Sequence, residues 1–311
     1  MRNTCSKGVS TSVVAVVVII VIVAVASAYI MTSKGGGPGI GSGPTAENLP
    51  LTQLTFSNSD FDPDWSPDGS KLVYTRVTST GYELWIINAD GTGATKIGSG
   101  FDPSWSPNAD KIAYTLNGEI YTSTSSGGSV TKLTTQGGDN PAWSPDGTKI
   151  AYARGGSIWV MNSDGSGTTN LTSVGDGYCS WPSYSYDGTK IVYIKGEAPG
   201  EPGTQQSSPN EIWTMGSDGS NKQKIYGAGD TYNLIFQRAW NNDNKILFMR
   251  MTIPQSPPDA WVMNSDGSGA TVVLDSDRYT YGDPVWNNAG NNIALIKGEG
   301  LSQNVFTLPY P

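Results

Sequence analysis

The sequence predicts an all-β chain: a six-bladed β-propeller closed by pairing of its N-terminal outer strand with its C-terminal blade, preceded by one N-terminal hydrophobic helix. Three observations carry that prediction. "DPDWSPDGSKLVY" at 62–74 returns as "DPSWSPNADKIAY" at 102–114 and "NPAWSPDGTKIAY" at 140–152. The aromatic at its centre recurs as Trp65, Trp105, Trp143, Tyr184, Trp240 and Trp286, at intervals of 40, 38, 41, 56 and 46 residues, and such periods mark propeller blades or solenoid turns. The chain also holds 39 Gly, 19 Pro, 10 Trp and 15 Tyr in 311 residues, which suits many short strands joined by tight turns.

Each repeat reads as four strands. The first carries the central aromatic. The second is β-rich, as in KLVYTRV (71–77), KIAYTL (111–116), KIAYAR (149–154), KIVYIK (190–195), KILFMR (245–250) and NIALIK (292–297). Ser-Pro-Asp-Gly or a relative lies between them, where Pro presets φ and Gly supplies φ > 0, so the pair is a hairpin. The third strand has an aromatic in mid-run: Trp85, Tyr121, Trp159, Trp213, Trp261 or Phe306. An Asp-Gly turn follows in most copies, a strong hairpin signal, and then a polar outer strand. Only five outer strands follow their blades. "LTQLT" at 51–55 supplies the sixth from the other end of the chain, and its pairing with "NVFTLPYP" would close the ring and hide two sheet edges. The tryptophans of the first and third strands are expected to be inter-blade core.

Before this lies a different kind of sequence. Residues 12–31, "SVVAVVVIIVIVAVASAYIM", carry no charge and as a helix would reach about 30 Å, one hydrocarbon core. Arg2 and Lys7 precede it, so by the positive-inside rule 1–11 stays cytoplasmic and the remainder lies outside. Residues 32–48 are a Gly/Pro-rich linker, and 49–311 form the propeller. Three readings of the apolar segment stay open: an uncleaved anchor, a secretory signal cut near "ASA" at 26–28, or a pilin-type helix. The third rests on "KGVSTSVV" at 7–14, which resembles the class III signal of archaeal type IV pilins. That resemblance implies cleavage between Gly8 and Val9, although Val13 stands where the family often has glutamate.

Composition excludes more than it selects. The net charge of −8 argues against nucleic acid as a partner, since phosphate neutralisation needs clustered Lys and Arg. Histidine is absent, which removes Ser-His-Asp and Cys-His catalysis and histidine-ligated metals. Cys5 and Cys179 flank the apolar segment, so no disulfide is expected between them, and Cys179 is read as buried.

Two sets of residues are candidates for binding. At the start of the innermost strands stand Asp62, Asp102, Asn140, Trp181, Gln237 and Asp283, ringing one channel mouth. Carboxylates and amides there could hold a cation such as Ca²⁺ or a basic peptide end, or could merely cap backbone N–H groups. The loops of blades 4–6 on the same face are long and carry Tyr178, Trp181, Tyr232, Phe236, Tyr279 and Tyr281, side chains suited to a protein or carbohydrate ligand. Asn170-Leu171-Thr172 is a glycosylation sequon. No cofactor is otherwise expected.

"W-S-P-D-G-x-K-I-A-Y" followed by "I-W-V-M-N-x-D-G" resembles the TolB-type, WD-repeat-like propeller repeat and covers nearly all of 50–311. That family includes periplasmic partner-binding scaffolds and the propeller domains of peptidases and lyases. The resemblance therefore implies the fold and leaves the function open. The expectation is a cell-surface, non-catalytic scaffold for a protein or carbohydrate, attached to the membrane by its N-terminal helix. The alternative is a pilin-like subunit whose helix self-associates in an extracellular filament. A polysaccharide lyase is the least favoured reading, because lyases of this fold lean on histidine and metal.

Overall fold

The strands sort into six four-stranded sheets with antiparallel ladders. The computed structural model of the chain describes residues 50–196, 211–227, 231–234, 239–252, 258–275, 280–299 and 302–310. The segments 1–11, 12–31 and 32–48 lie outside the described residues, with Gly8 and Val9. So do Phe236, Gln237 and Tyr279. Among the described residues no helix is long and apolar enough to cross a membrane.

In blades 1 to 5 the strands are ordered as they occur in the chain, from the axis outward. Blade 1 is Asp60–Trp65, Lys71–Thr78, Gly81–Asn88 and Thr95–Ser99. The sixth sheet instead joins both ends of the polypeptide: Thr52–Gln53 pairs with Ser302–Pro309, with Thr52 opposite Thr307 and Gln53 opposite Phe306. Two ladder pairs alone are a weak closure, and hydrogen bonds extend it. Leu54 N–H donates to the Val305 carbonyl at 2.9 Å, and Val305 N–H donates to Thr55 Oγ1 at 2.9 Å. Asn58 N–H donates to Asn304 Oδ1 and Asn304 Nδ2 donates to Asn58 Oδ1, both at 2.9 Å.

Local chemistry explains the hairpins. Ser66 Oγ accepts from Lys71 N–H at 2.9 Å and donates to Asp68 Oδ1 at 2.6 Å, and Ser66 N–H reaches the Lys71 carbonyl. The same serine-to-lysine bond recurs at Ser106, Ser144 and Ser185. Blades 5 and 6 write Asn-Asn where the others have Ser-Pro, Ser-Tyr in blade 4, and the turn survives. Asn241 Oδ1 accepts from Lys245 N–H at 2.9 Å, and Asn287 Oδ1 accepts from Asn291 and Asn292 N–H, both at 3.1 Å. One amide carbonyl thus replaces the serine hydroxyl.

Second strands are buried on both faces, with Leu72, Val73, Tyr74, Ile112 and Ala113 inaccessible or nearly so, because each blade is sandwiched between two others. Outer hairpins also dock against the preceding blade. A Cβ on Gly165 would lie 2.9 Å from the Leu133 carbonyl oxygen, and one on Gly127 would collide with that of Ile97. Both glycines have φ near +87°, so the turn and the close approach each require glycine.

One expectation about the core is corrected. Trp65, Trp105, Trp240 and Trp286 are buried, but Trp85, Trp143, Trp159, Trp213, Trp261 and Phe306 are only half-buried. All of the half-buried ones but Trp143 sit on third strands, which lie further from the axis than the first strands. Cations cover the rings there: Arg76 stands 4.4 Å from the Trp85 ring, Arg154 4.6 Å from Trp159, Lys195 4.1 Å from Trp213 and Arg250 4.8 Å from Trp261. Cys179 is buried and unpaired, with its thiol pushed up by burial.

Candidate functional site

The innermost strands begin with a shared distortion. Ladder register slips between Phe61 and Asp64, Phe101 and Ser104, Asp139 and Ala142, Ser180 and Ser183, and Gly282 and Val285. Within each slip one residue is left-handed: Asp62 (φ 47°), Asp102 (51°), Asn140 (51°), Trp181 (54°) and Asp283 (47°). Asp and Asn tolerate this region by local hydrogen bonding, which accounts for four of the five. Trp181 is a bulky residue held where such residues are rare, and backbone strain of this kind gathers at ligand clamps. The proline that follows leaves no N–H to be orphaned in the bulge.

These bulges bring the predicted mouth residues of blades 1, 2, 3, 4 and 6 to one end of the channel. They are also bonded to each other. Asp62 N–H donates to Asp283 Oδ2 at 3.1 Å across the closure, and Asn140 Nδ2 donates to Asp102 Oδ2 at 2.8 Å. One turn of chain further in, Asp64 Oδ2 accepts from Trp105 N–H at 2.7 Å. Asp283 and Asp64 thus accept backbone N–H groups, as a cap does, whereas Asp102 takes the side-chain amide of Asn140. Crowding does the rest. Burial pushes Asp62 up to about 6, although the nearby Thr75 hydroxyl and Asp102 N–H favour its ionised form. Asp102, 2 % exposed, is raised well above the carboxylate range by burial and then by the charges of Asp62, Asp139 and Asp283. Asp283 is raised by burial and by Asp62. Tyr82, beside them, is raised by burial and by Asp62 and Asp102.

For Ca²⁺ the geometry offers little: among the described residues no group of three or more His, Cys, Asp or Glu side chains could hold a metal ion. The aromatics divide. Trp181 is half-buried and packs on two core clusters at the level of the mouth. Tyr178 is half-buried, with its ring against Gly156 of blade 3. Tyr281 is 1 % exposed inside the core, a correction to its expected place on a binding face. Its neighbours in the loop cannot be read the same way, since Tyr279 and Phe236 lie outside the described residues and only the backbone of Tyr232, in Thr231–Leu234, is described. Asn170 is exposed, with Oδ1 accepting from Thr172 N–H at 3.1 Å.

Two features escaped the sequence reading. Arg76 forks onto buried Asp60 at 2.7 and 3.3 Å and touches the Tyr74 hydroxyl at 3.0 Å, a network present in blade 1 that no repeat position signals. At the other end of the channel, among the Ser-Pro turns, lies a cavity of about 360 Å³. Its one sequence signal is Tyr186, which stands where blades 1 to 3 carry Pro.

Comparison with known proteins agrees with the propeller fold. The family described as TolB beta propeller domain matches residues 52–249. A TolB structure from Agrobacterium tumefaciens superimposes with a TM-score of 0.61 at 19% identity, covering 84% of this chain and 97% of that one. TolB from Acinetobacter baumannii gives 0.58 at 18% identity, covering 79% of this chain and 65% of the other. A gluconolactonase from Xanthomonas campestris gives 0.59 at 14% identity over 84% and 89% of the two chains. At these identities the likeness concerns the fold. No curated protein sequence matches.

Proposed function

Because this chain belongs to the TolB beta propeller domain family, we propose that it is a non-catalytic binding module that takes a cationic group of a protein partner in its carboxyl-lined mouth. The observation behind this is the convergence of Asp62, Asp102 and Asp283 from three blades. Three crowded carboxyl groups, Asp102 and Asp283 buried and Asp62 half-buried, cannot all ionise without mutual repulsion, and an ammonium or guanidinium entering the mouth relieves it in place of a proton. The half-buried Trp181 beside them offers a ring face to the same cation. The lack of any histidine supports a non-catalytic role, even though the fold also serves enzymes such as the gluconolactonase. The apolar segment 12–31 and the Gly/Pro-rich linker support display outside the cell.

The test is calorimetric titration of the full-length protein with Lys- and Arg-ended peptides and their neutral counterparts. Binding is expected at pH 7, weaker at pH 5 as the carboxyls protonate, and weaker in Asp283→Asn. If the neutral peptides bind as well as the cationic ones, the reading fails. The same titration with Ca²⁺ separates a metal from a cationic side chain. A second reading, a pilin-like filament subunit, is favoured by Lys7-Gly8 directly before the apolar run. N-terminal sequencing of the mature protein distinguishes it: a start at Val9 supports the filament, and a retained N-terminus supports the anchor.

A further inference from the structure

The opposite mouth has a different chemistry. Its cavity of about 360 Å³ falls in the range of small-ligand pockets. Five blades contribute to its wall, through residues that include Ser104, Trp143, Tyr184, Asn241 and Trp286, and no lining side chain is charged. The turn aspartates beside it are occupied: Asp146 and Asp187 each accept from their own turn's serine and threonine hydroxyls.

The wall is polar, and three of its indole N–H groups have no acceptor in the protein. Asn241 is 2 % exposed, and its Oδ1 accepts from Asp243 N–H and Lys245 N–H within the turn. Ser104, 4 % exposed, adds a hydroxyl to the same wall. The indole N–H groups of Trp143, Trp240 and Trp286 are buried and without a partner. A buried donor left unsatisfied costs about 1–3 kcal/mol, so several in one wall call for an occupant that supplies oxygen atoms. At the rim stands Tyr186, 54 % exposed where the turns of blades 1 to 3 carry Pro67, Pro107 and Pro145. An aromatic face left open beside a neutral, hydroxyl- and amide-lined cavity matches a ligand with both C–H faces and hydroxyl groups.

We infer that the cavity among the Ser-Pro turns is a binding site for a neutral saccharide of one or two rings, with Tyr186 as its platform and Asn241 and Ser104 as hydrogen-bonding partners. A charged sugar is excluded by the same wall, because it would be desolvated with no counter-charge. The site is separate from the carboxyl mouth, so either can fail without the other.

The experiment is titration of the full-length protein with glucose, galactose, mannose, N-acetylglucosamine and maltose, with glucuronate as the charged control, read by saturation-transfer NMR and tryptophan fluorescence. At least one neutral sugar is expected to saturate with Kd at or below about 10 mM, and glucuronate to bind at least about tenfold more weakly. Tyr186→Pro restores the repeat's own residue, and Asn241→Ser keeps the turn acceptor while removing the amide donor. Each should weaken binding at least about tenfold with an unchanged melting temperature. Should Asn241→Ser or Tyr186→Pro prove unstable, Tyr186→Ala at its exposed position carries the comparison. Absence of saturation with every neutral sugar, equal binding of glucuronate, binding intact in Tyr186→Ala, or preference for an uncharged Gly-Asn-Ser peptide overturns the inference.

Discussion

Replacing Asp62 by Asn should make the protein more stable at neutral pH and remove much of its pH dependence between 4 and 6. Asn is the residue blade 3 already uses at this position, in the same left-handed conformation, and its carbonyl can still accept a hydrogen bond. Asp62 is raised from an ordinary 3.8 to about 6. Below about 3.8 it is protonated in both the folded and the unfolded chain, and folding carries no penalty. Between 3.8 and about 6 the unfolded chain has lost a proton that the folded chain still holds, so stability falls as pH rises. Above about 6 the loss is complete and amounts to about 3 kcal/mol. Asp102 and Asp283, raised by the same burial and repulsion, act in the same direction. Turn carboxyls act in a separate window: Asp68, lowered to about 2 by hydrogen bonds from Ser66 and Ser70, adds stability that is lost only as pH falls below 3.8. No histidine titrates between 4 and 6.5 to confuse the measurement. Thermal melts at pH 4.5, 5.5 and 6.5 should show the wild type losing about 6 °C across the series, and Asp62→Asn losing distinctly less. A wild-type melting temperature that stays level or climbs over this range, or an Asp62→Asn variant no more stable at pH 7, would refute the repulsive ring.

Trp286→Ala, at a fully buried ring, should cost about 3–5 kcal/mol in urea unfolding, and Trp85→Ala, half-buried under Arg76, clearly less; equal costs would contradict the different burial of the two strands. Gly127→Ala combines a left-handed φ with a collision at the Ile97 carbonyl, so it should destabilise by more than the roughly 1 kcal/mol of a strained φ alone, measurable as a lowered denaturation midpoint. Cys179 should resist maleimide labelling in the native protein and react fully once urea unfolds it, since burial both hides the thiol and raises its pKa. Rapid labelling of the folded chain would show that blade 4 opens locally.

Much of the architecture was readable because its determinants are local. The Ser-Pro-Asp-Gly hairpin closes within five residues, from Ser66 to Lys71, so each copy announces itself wherever it stands. Even the Asn-Asn turns obey the same hydrogen-bond logic, although only coordinates show Asn241 Oδ1 on Lys245 N–H. The candidate site was readable in part. Asp62, Asp102, Asn140 and Asp283 share a position in the repeat, and the repeat is circular, so their convergence follows from the period. Tyr281 could not be sorted from its loop neighbours, because its burial depends on how blades 5 and 6 pack and not on any feature of its own segment.

From its amino acids alone this chain declares the number of blades, the hairpin turns and the position of the acidic ring, all of which are written in patterns a few residues long and repeated in register. Folding into a circle decides the rest. Asp62 meets Asp283 across 221 residues, the crowding of their carboxyls sets when they ionise, and Asn241 lines a cavity that exists only where five blades meet. Those properties depend on distances between residues far apart in the chain, and a linear pattern does not encode such distances.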